Sequence, residues 1–374
     1  MAWLRCCFSG GGEEESRQSN EMTKATESTT LMPYIPRHLL VEILLKLPIK
    51  SLIRLRCVSK SWLSLISDPH FTRNHLNFTK RILIITHYRR SHLYTADLGS
   101  AHKDSVAEKI DYISNFWTII GSCNGLVCIK VCLIQYIVFN PLTRESKQIP
   151  YCDLCALEGF EGYCRYGFGY DSSSDDYKLV ELDRSTVYVY SLRAGFWKKV
   201  QDYAKGSFYI DGSFHPRTRG LLLNGAIHWF CLGINSNSQS KIAAFDLVAD
   251  KLSEIPLPTF FADVHDKCQI GVFLGRLCVK PLYYSDEFWV MKENGVEKSW
   301  TKFDMKMGFS CYDGIPLTLL KNDETLIMRN RQKLALYNTS EGTCRDLVLH
   351  GIPPHEEIFD AEVYAESLVS PWRQ

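Results

Sequence analysis

Several groups of residues in this chain have the types and spacing of reactive sites. Cys152-Asp-Leu-Cys155, with Cys164 nearby, has the spacing of a redox couple or of half a zinc site. A structural zinc needs four ligands, and no second C-x-x-C or His pair stands at matching spacing, so the pair reads as part of a loop between strands. Asp171, Ser173 and Asp175 imitate the start of a calcium loop, in which oxygen ligands alternate. Glycine is absent at the sixth position, and Leu182 stands at the twelfth, where a bidentate Glu would close the site. A hairpin turn is the expectation. His228-Trp229 offers a base beside an aromatic, yet no partnered Ser or Asp motif accompanies it, and burial in a strand is expected. Arg73, Lys80, Arg81, Arg89 and Arg90 read as solvated surface, not as a phosphate-reading patch. Asn77-Phe-Thr79 and Asn338-Thr-Ser340 are glycosylation sequons, which matter only on a secretory route. No catalytic, metal or cofactor site is expected from these residues.

Composition narrows the class further. The 374 residues carry 43 basic and 42 acidic side chains, net +1, which supplies no field for nucleic acid or an anionic membrane. The fourteen cysteines are scattered through apolar stretches without the spacing of a disulfide scaffold, and no secretory signal precedes them. They read as mostly reduced, buried thiols of the cytoplasm or nucleus. Lys130 and Gln135 interrupt the best candidate for a membrane span, residues 126–139, so no stable membrane insertion is expected. Residues 1–31 hold Gly10 to Gly12, Glu13 to Glu15 and a Ser/Thr-rich run, a composition that cannot fill a core and reads as a disordered tail. Within it Cys6-Cys7 invites S-acylation, but Ala2 stands where myristoylation needs Gly, and one weak signal anchors poorly.

Two kinds of element follow the tail. Pro36 suits a first helical turn, Leu39, Leu40, Ile43, Leu44 and Leu47 fall at helical spacing, and Pro48 stops the run. Lys50-Ser51 opens a second turn and Ser59 can cap a third helix carrying Trp62, Leu65 and Ile66. A piece of about forty residues this apolar is too small to bury all its surface alone, so part of it should be an interface. The order of residues, an apolar-Pro pair, Leu39-x-x-x-Ile43-Leu44, Leu47-Pro48, Ser51-Leu52, Val58-Ser-Lys-x-Trp62, Leu65-Ile66 and Pro69-x-Phe71, resembles the F-box. That resemblance implies a three-helix unit, residues 32–78, docking on a Skp-type adaptor and through it on cullin and RING subunits of a ubiquitin ligase. It places Ile35, Pro36, Leu39, Ile43, Leu47, Pro48, Leu52, Val58 and Trp62 at adaptor-contact or F-box-core positions. Ile35 stands where the family usually has Leu, a tolerated swap of equal volume.

From about residue 80 the period changes from helical to alternating. Segments 139–150, 190–200, 245–256 and 337–347, which open on Phe139-Asn140-Pro, Tyr190-Ser191-Leu, Phe245-Asp246-Leu and Tyr337-Asn338-Thr, share one layout: an aromatic strand end, a polar turn and a second strand. Inner hairpins precede three of them, two with Asn-Gly turns at Asn124-Gly125 and Asn224-Gly225, and residues 272–279 and 319–328 read as weaker copies. A repeat of roughly 45–55 residues is one four-stranded blade, so residues 79–374 are expected to form an all-β propeller of about six blades. A β-sandwich is the alternative, though it does not by itself explain the recurring unit. In such a ring the last strand completes the first blade, which predicts that residues 361–369 pair near residues 83–98. Ser122-Cys-Asn-Gly-Leu126, Phe139-Asn-Pro-x-Thr-Arg144, Gly167-Phe-Gly-Tyr-Asp171, His228-Trp229, Phe245-Asp246 and Trp289-Val-Met291 resemble the F-box-associated interaction domain of plant F-box proteins, a divergent kelch-like family. Together the two resemblances imply a non-catalytic receptor that brings a client protein to an SCF-type ligase for ubiquitination. Competing readings are an F-box lectin, an enzymatic propeller, which a central pocket with perturbed titratable groups would favour, and a non-proteolytic scaffold. Neither the client nor its contact residues are assigned by these motifs.

Overall fold

The computed structural model describes residues 35–372 apart from 77–80, 88–91, 99–104, 112, 114–115, 132–134, 153–163, 184–185, 203–218, 233–239, 259–267, 282–286, 305–314, 321–322, 330–332, 354–357 and 359. The proposed tail, with Cys6 and Cys7, lies outside these residues. The chain divides into two compact units, residues 1–40 and 41–374. The first contributes Ile35, Pro36 and the start of helix α1 (Arg37–Leu45).

The second unit contains α2 (Ile49–Leu55), α3 (Lys60–Ile66) and α4 (Pro69–His75). Pro48 precedes α2, and its carbonyl accepts from Ser51 N and Leu52 N, opening the helix. Ser59 caps α3 as expected, its hydroxyl accepting from Trp62 N at 3.2 Å. The fourth helix exceeds the three read from the sequence. Asp68 accepts from His70 N and Phe71 N at 2.9 and 3.1 Å, and Pro69 sits in the first turn, where its missing N–H costs nothing. α3 packs against both neighbours, α2 and α4, while Ile49, Leu52, Ile66 and Phe71 are buried.

The strands form a six-bladed propeller. Blades 2 to 6 are four-stranded meanders whose inner strands are Phe116–Cys123, Arg165–Asp171, Leu221–Leu223, Cys268–Phe273 and Ile315–Leu319. Blade 1 is assembled from both ends of the domain: Arg81–His87, His92–Asp97 and Ser105–Ile110 are joined by Asp360–Ala365, which pairs antiparallel with Arg81–His87 from Arg81↔Ala365 to Thr86↔Asp360. A short parallel strand, Leu349–His350, covers Ser105–Ile110. The expected closure is therefore present, with the regular strand ending at Ala365. Residues 366–369 continue irregularly to blade 2, where Asn140 Nδ2 donates to the carbonyls of Ser367 and Val369 at 2.9 and 2.8 Å.

Turn chemistry explains the repeat. Asn124-Gly125 and Asn224-Gly225 both have positive φ at both central residues, as a type I′ hairpin requires. The outer turns are closed by side chains: Asn140 Oδ1 accepts from Leu142 N and Thr143 N, Asp246 Oδ1 from Val248 N and Ala249 N, and Asn338 Oδ1 from Ser340 N and Glu341 N. Between blades, alternate residues of each strand point to opposite neighbours. Leu179, Tyr188 and Tyr190 pack toward blade 2 with Tyr136 and Val138, whereas Val180, Val187 and Val189 pack toward blade 4 with Ile227 and Trp229. Six such cores, one at each junction, close the ring. Closure removes the free edges that an open sandwich would leave.

Candidate functional site

The helices expose apolar surface that their own cores do not use. In residues 35–40, Ile35, Pro36 and Leu39 are exposed. In the second unit Ile43 is 50% and Val58 61% exposed, Pro48 is exposed, and Leu47 and Trp62 are half-buried. Leu52, at 0%, belongs to the interior of α2. Leu63, one residue beyond Trp62 and not singled out by the spacing of Trp62, Leu65 and Ile66, is also exposed. Solvent-facing aliphatics concentrated in so short a stretch are the mark of an interaction surface.

The helices also touch the propeller through charge. Arg73 of α4 donates from Nη1 to the Tyr170 hydroxyl at 3.2 Å and pairs with Asp175, which accepts from Tyr170 Oη at 2.5 Å as well. The Tyr170 hydroxyl bond, joined by Arg73, outweighs burial and holds the Asp175 carboxyl below its ordinary range. The supposed calcium loop is thus a turn with its oxygens already occupied: Asp171 accepts from Ser173 N and Oγ, Ser174 Oγ and Lys178 Nζ.

A cavity of about 720 Å³ occupies the centre of the propeller, lined by residues from all six blades. Leu221, Leu222, Ile270, Leu317 and Val363 make its apolar wall. Across it, Arg219 at the start of blade 4 donates to Asp360 Oδ2 and the Ala361 carbonyl, each at 2.8 Å, and pairs with Glu362 at 3.0 Å, all on blade 1. Blades 1 and 4 are three places apart in the ring, so this cluster spans its diameter. Burial, opposed by Arg219, pushes the Asp360 carboxyl up to about 7. No motif pointed to this cluster, because its members are some 140 residues apart in the chain.

The other residues singled out for reactivity are interior. His228 is buried with Nδ1 3.3 Å from the Leu221 carbonyl, burial lowers its pKa, and Trp229 Nε1 donates to the Tyr166 carbonyl at 3.1 Å. Cys152 and Cys164 lie in the core between blades 2 and 3, while Cys155 is outside the described residues. Among the described residues no group of three or more His, Cys, Asp or Glu is arranged to hold a metal ion. Of the basic run, Arg73 is paired, and Lys80, Arg89 and Arg90 lie outside the described residues. No helix among the described residues is long and apolar enough to cross a membrane.

Comparison with known proteins places both halves. Residues 33–74 match the F-box domain and residues 88–369 the F-box associated beta propeller domain. An F-box/kelch-repeat protein of Arabidopsis thaliana is 30% identical over 367 residues, covering 90% of this chain and 96% of the relative. F-box protein CPR1 of the same plant is 29% identical over 376 residues, covering 90% and 89%. With an F-box followed by this propeller, and with relatives aligned over almost their whole length, the chain belongs to the family of F-box proteins that carry an F-box associated beta propeller domain.

Proposed function

We propose that this protein is the substrate-recognition subunit of an SCF-type cullin–RING ubiquitin ligase. Its helices bind a Skp-type adaptor, and through it the cullin and RING subunits, while the propeller holds a client protein. The observation that carries the reading is the exposure of Ile43 and Val58, apolar side chains left in solvent by a helical unit that is joined to a closed, self-sufficient β domain. Ile35, Pro36, Leu39, Leu47, Pro48 and Trp62 complete the proposed adaptor contact, and Leu52 supports it from inside. The receptor performs no chemistry. Holding a client lysine near a charged conjugating enzyme turns a chance encounter into an effectively intramolecular transfer. Free buried thiols such as Cys231 and Cys278, which burial pushes up to about 11 and about 12, suit the reducing cytoplasm or nucleus, where this ligase would act.

An enzymatic propeller is the second reading, favoured by the raised Asp360 carboxyl beside the central cavity. Asp360 is already bound by Arg219 and by Ala361 N, a bonding pattern that serves to brace blade 1 against blade 4. A combined Ile43→Asp and Val58→Asp variant tests the main reading without touching the core. Affinity purification under proteasome block, read by mass spectrometry, should recover adaptor with the native chain and lose it with the variant by more than about 30-fold, as expected for two interface anchors. Clients should be recovered with both, and their half-life in cells should lengthen when the variant is expressed. Undiminished adaptor recovery would sink the assignment.

A further inference from the structure

The inner turn of blade 3 is braced more heavily than a hairpin requires. Two residues suffice in blades 2, 4 and 5, as at Asn124-Gly125 and Asn224-Gly225, whereas here, as in blade 6, four residues separate the paired strands, Asp171 from Asp176. Asp171 ties down both Ser173 and Ser174, and its second oxygen lies 2.8 Å from Lys178 Nζ, itself buried. From the outer turn Arg193 Nη1 donates to the Ser174 carbonyl at 2.7 Å, and Arg193 N donates to Asp176 at 2.9 Å. The product of this bracing is one carboxylate, Asp175, held at φ 54° at the end of the turn, with the Tyr170 hydroxyl against it. Arg73 meets both from α4, a helix fixed at its start by Asp68 and attached to α3.

We infer that Arg73, Tyr170 and Asp175 form an orienting clasp that seats α4 on the inner turn of blade 3 and so fixes the angle at which the propeller presents its client to the ligase. The last clause rests on the proposed function; the clasp itself does not. Arg73 and Asp175 are each more than a third exposed, so the pair contributes only modestly to stability. The shared Tyr170 hydroxyl and the rigid turn raise its specificity, because a guanidinium must meet two oxygens set in fixed positions. An antiparallel blade brings its inner and outer turns to the same end, so α4 occupies the face formed by those turns. Arg73 and Tyr170 act here as positioning residues and touch no reacting atom.

The test uses the full chain with Arg73→Glu, Asp175→Arg and the two combined, which restores the charges in reverse. Hydrogen exchange of peptides covering residues 69–76 and 171–176 should quicken about two- to fivefold in each single variant, the scale of an exposed ion pair, and return toward the native rate in the combined one. Unchanged exchange in the single variants, or no recovery in the combined one, overturns the clasp. A second measurement reconstitutes the chain with adaptor, cullin–RING, conjugating enzyme, ubiquitin and ATP and maps which of its own lysines are modified. Redistribution of those lysines in the single variants, reversed in the combined one, is expected. A static lysine map despite altered exchange overturns the orienting role. Absence of any modification by the native chain would count against the ligase reading instead, while the exchange result stands independently.

Discussion

At the scale of single residues, the inner turns show how one backbone requirement acquires different consequences. Gly125 and Gly225 both hold positive φ, 83° and 78°. A side chain at Gly225 meets open space, whereas one at Gly125 collides with Ser367 and the Ala365 carbonyl. Gly225→Ala should therefore cost about 1 kcal/mol from the left-handed backbone alone, and Gly125→Ala about 2–4 kcal/mol, since overpacking adds to it. Thermal unfolding of both variants checks the difference, and equal losses would mean that the chain end does not sit against blade 2. Leu274 is the anomaly of the series. It occupies the left-handed position, φ 50°, that Asn124 and Asn224 fill in the two-residue inner turns of blades 2 and 4, and is 45% exposed. Leu274→Asn should raise stability by about 0.5–1 kcal/mol, because Asn tolerates this conformation better than a branched aliphatic. The two Asn-Gly turns are legible in the sequence for the same reason, and the blade 5 hairpin over residues 272–279 gives only a weaker signal because this Leu replaces the Asn.

At the scale of elements, the blades are joined by more than apolar contact. Lys178 Nζ of blade 3 donates to the Leu247 carbonyl at 2.6 Å and pairs with Asp250 of blade 4 at 2.7 Å and Asp171 at 2.8 Å. Lys178→Met leaves the nearly buried Asp171 without its cation and should cost about 3–5 kcal/mol, read as a lowered denaturation midpoint. Burial pushes the Asp171 carboxyl up, but Lys178 and the hydroxyls of Ser174 and Ser173 prevail and hold it below the ordinary range. A carboxyl depressed in the folded state stabilises it above the unfolded value and loses that contribution as pH falls toward the folded one. The native protein should accordingly lose stability on acidification below about pH 4 with a steeper slope than the Lys178→Met variant. This latch is not legible in the sequence, since Lys178 and Asp250 belong to different repeats and only the packing of neighbouring blades brings them together. α4 was missed for a smaller reason: Pro69 is as good a first-turn residue as it is a stop, and the Asp68 cap decides between them.

For the whole molecule, closure rests on the strand Asp360–Ala365. It pairs with Arg81–His87, receives Arg219 across the cavity, and accepts Ser122 Oγ at Val363 O and Glu362 Oε1 at 2.8 and 3.0 Å. Ending the chain at residue 359 would expose the edge of Arg81–His87 and leave Arg219 facing no carboxylate from blade 1. Aggregation and loss of cooperative melting are expected, and light scattering during a thermal ramp measures both. A soluble truncation with one sharp transition would contradict closure by this strand. The sequence by itself determined the order of the two parts, the change from helical to period-two patterning, the Asn-Gly turns, and the terminal pairing, because each depends on local spacing or on a ring having to close. Tertiary structure alone decided which apolar side chains of the helices stay in solvent and which, like Leu52, fill the core; helical spacing assigns a face but does not say what covers it. It also decided that Arg219 meets Asp360 and that Arg73 meets Asp175. Those partners are chosen by the curvature that stacked blades accumulate around the ring and by the seat of α4 upon it, and neither quantity is written in any window of the chain.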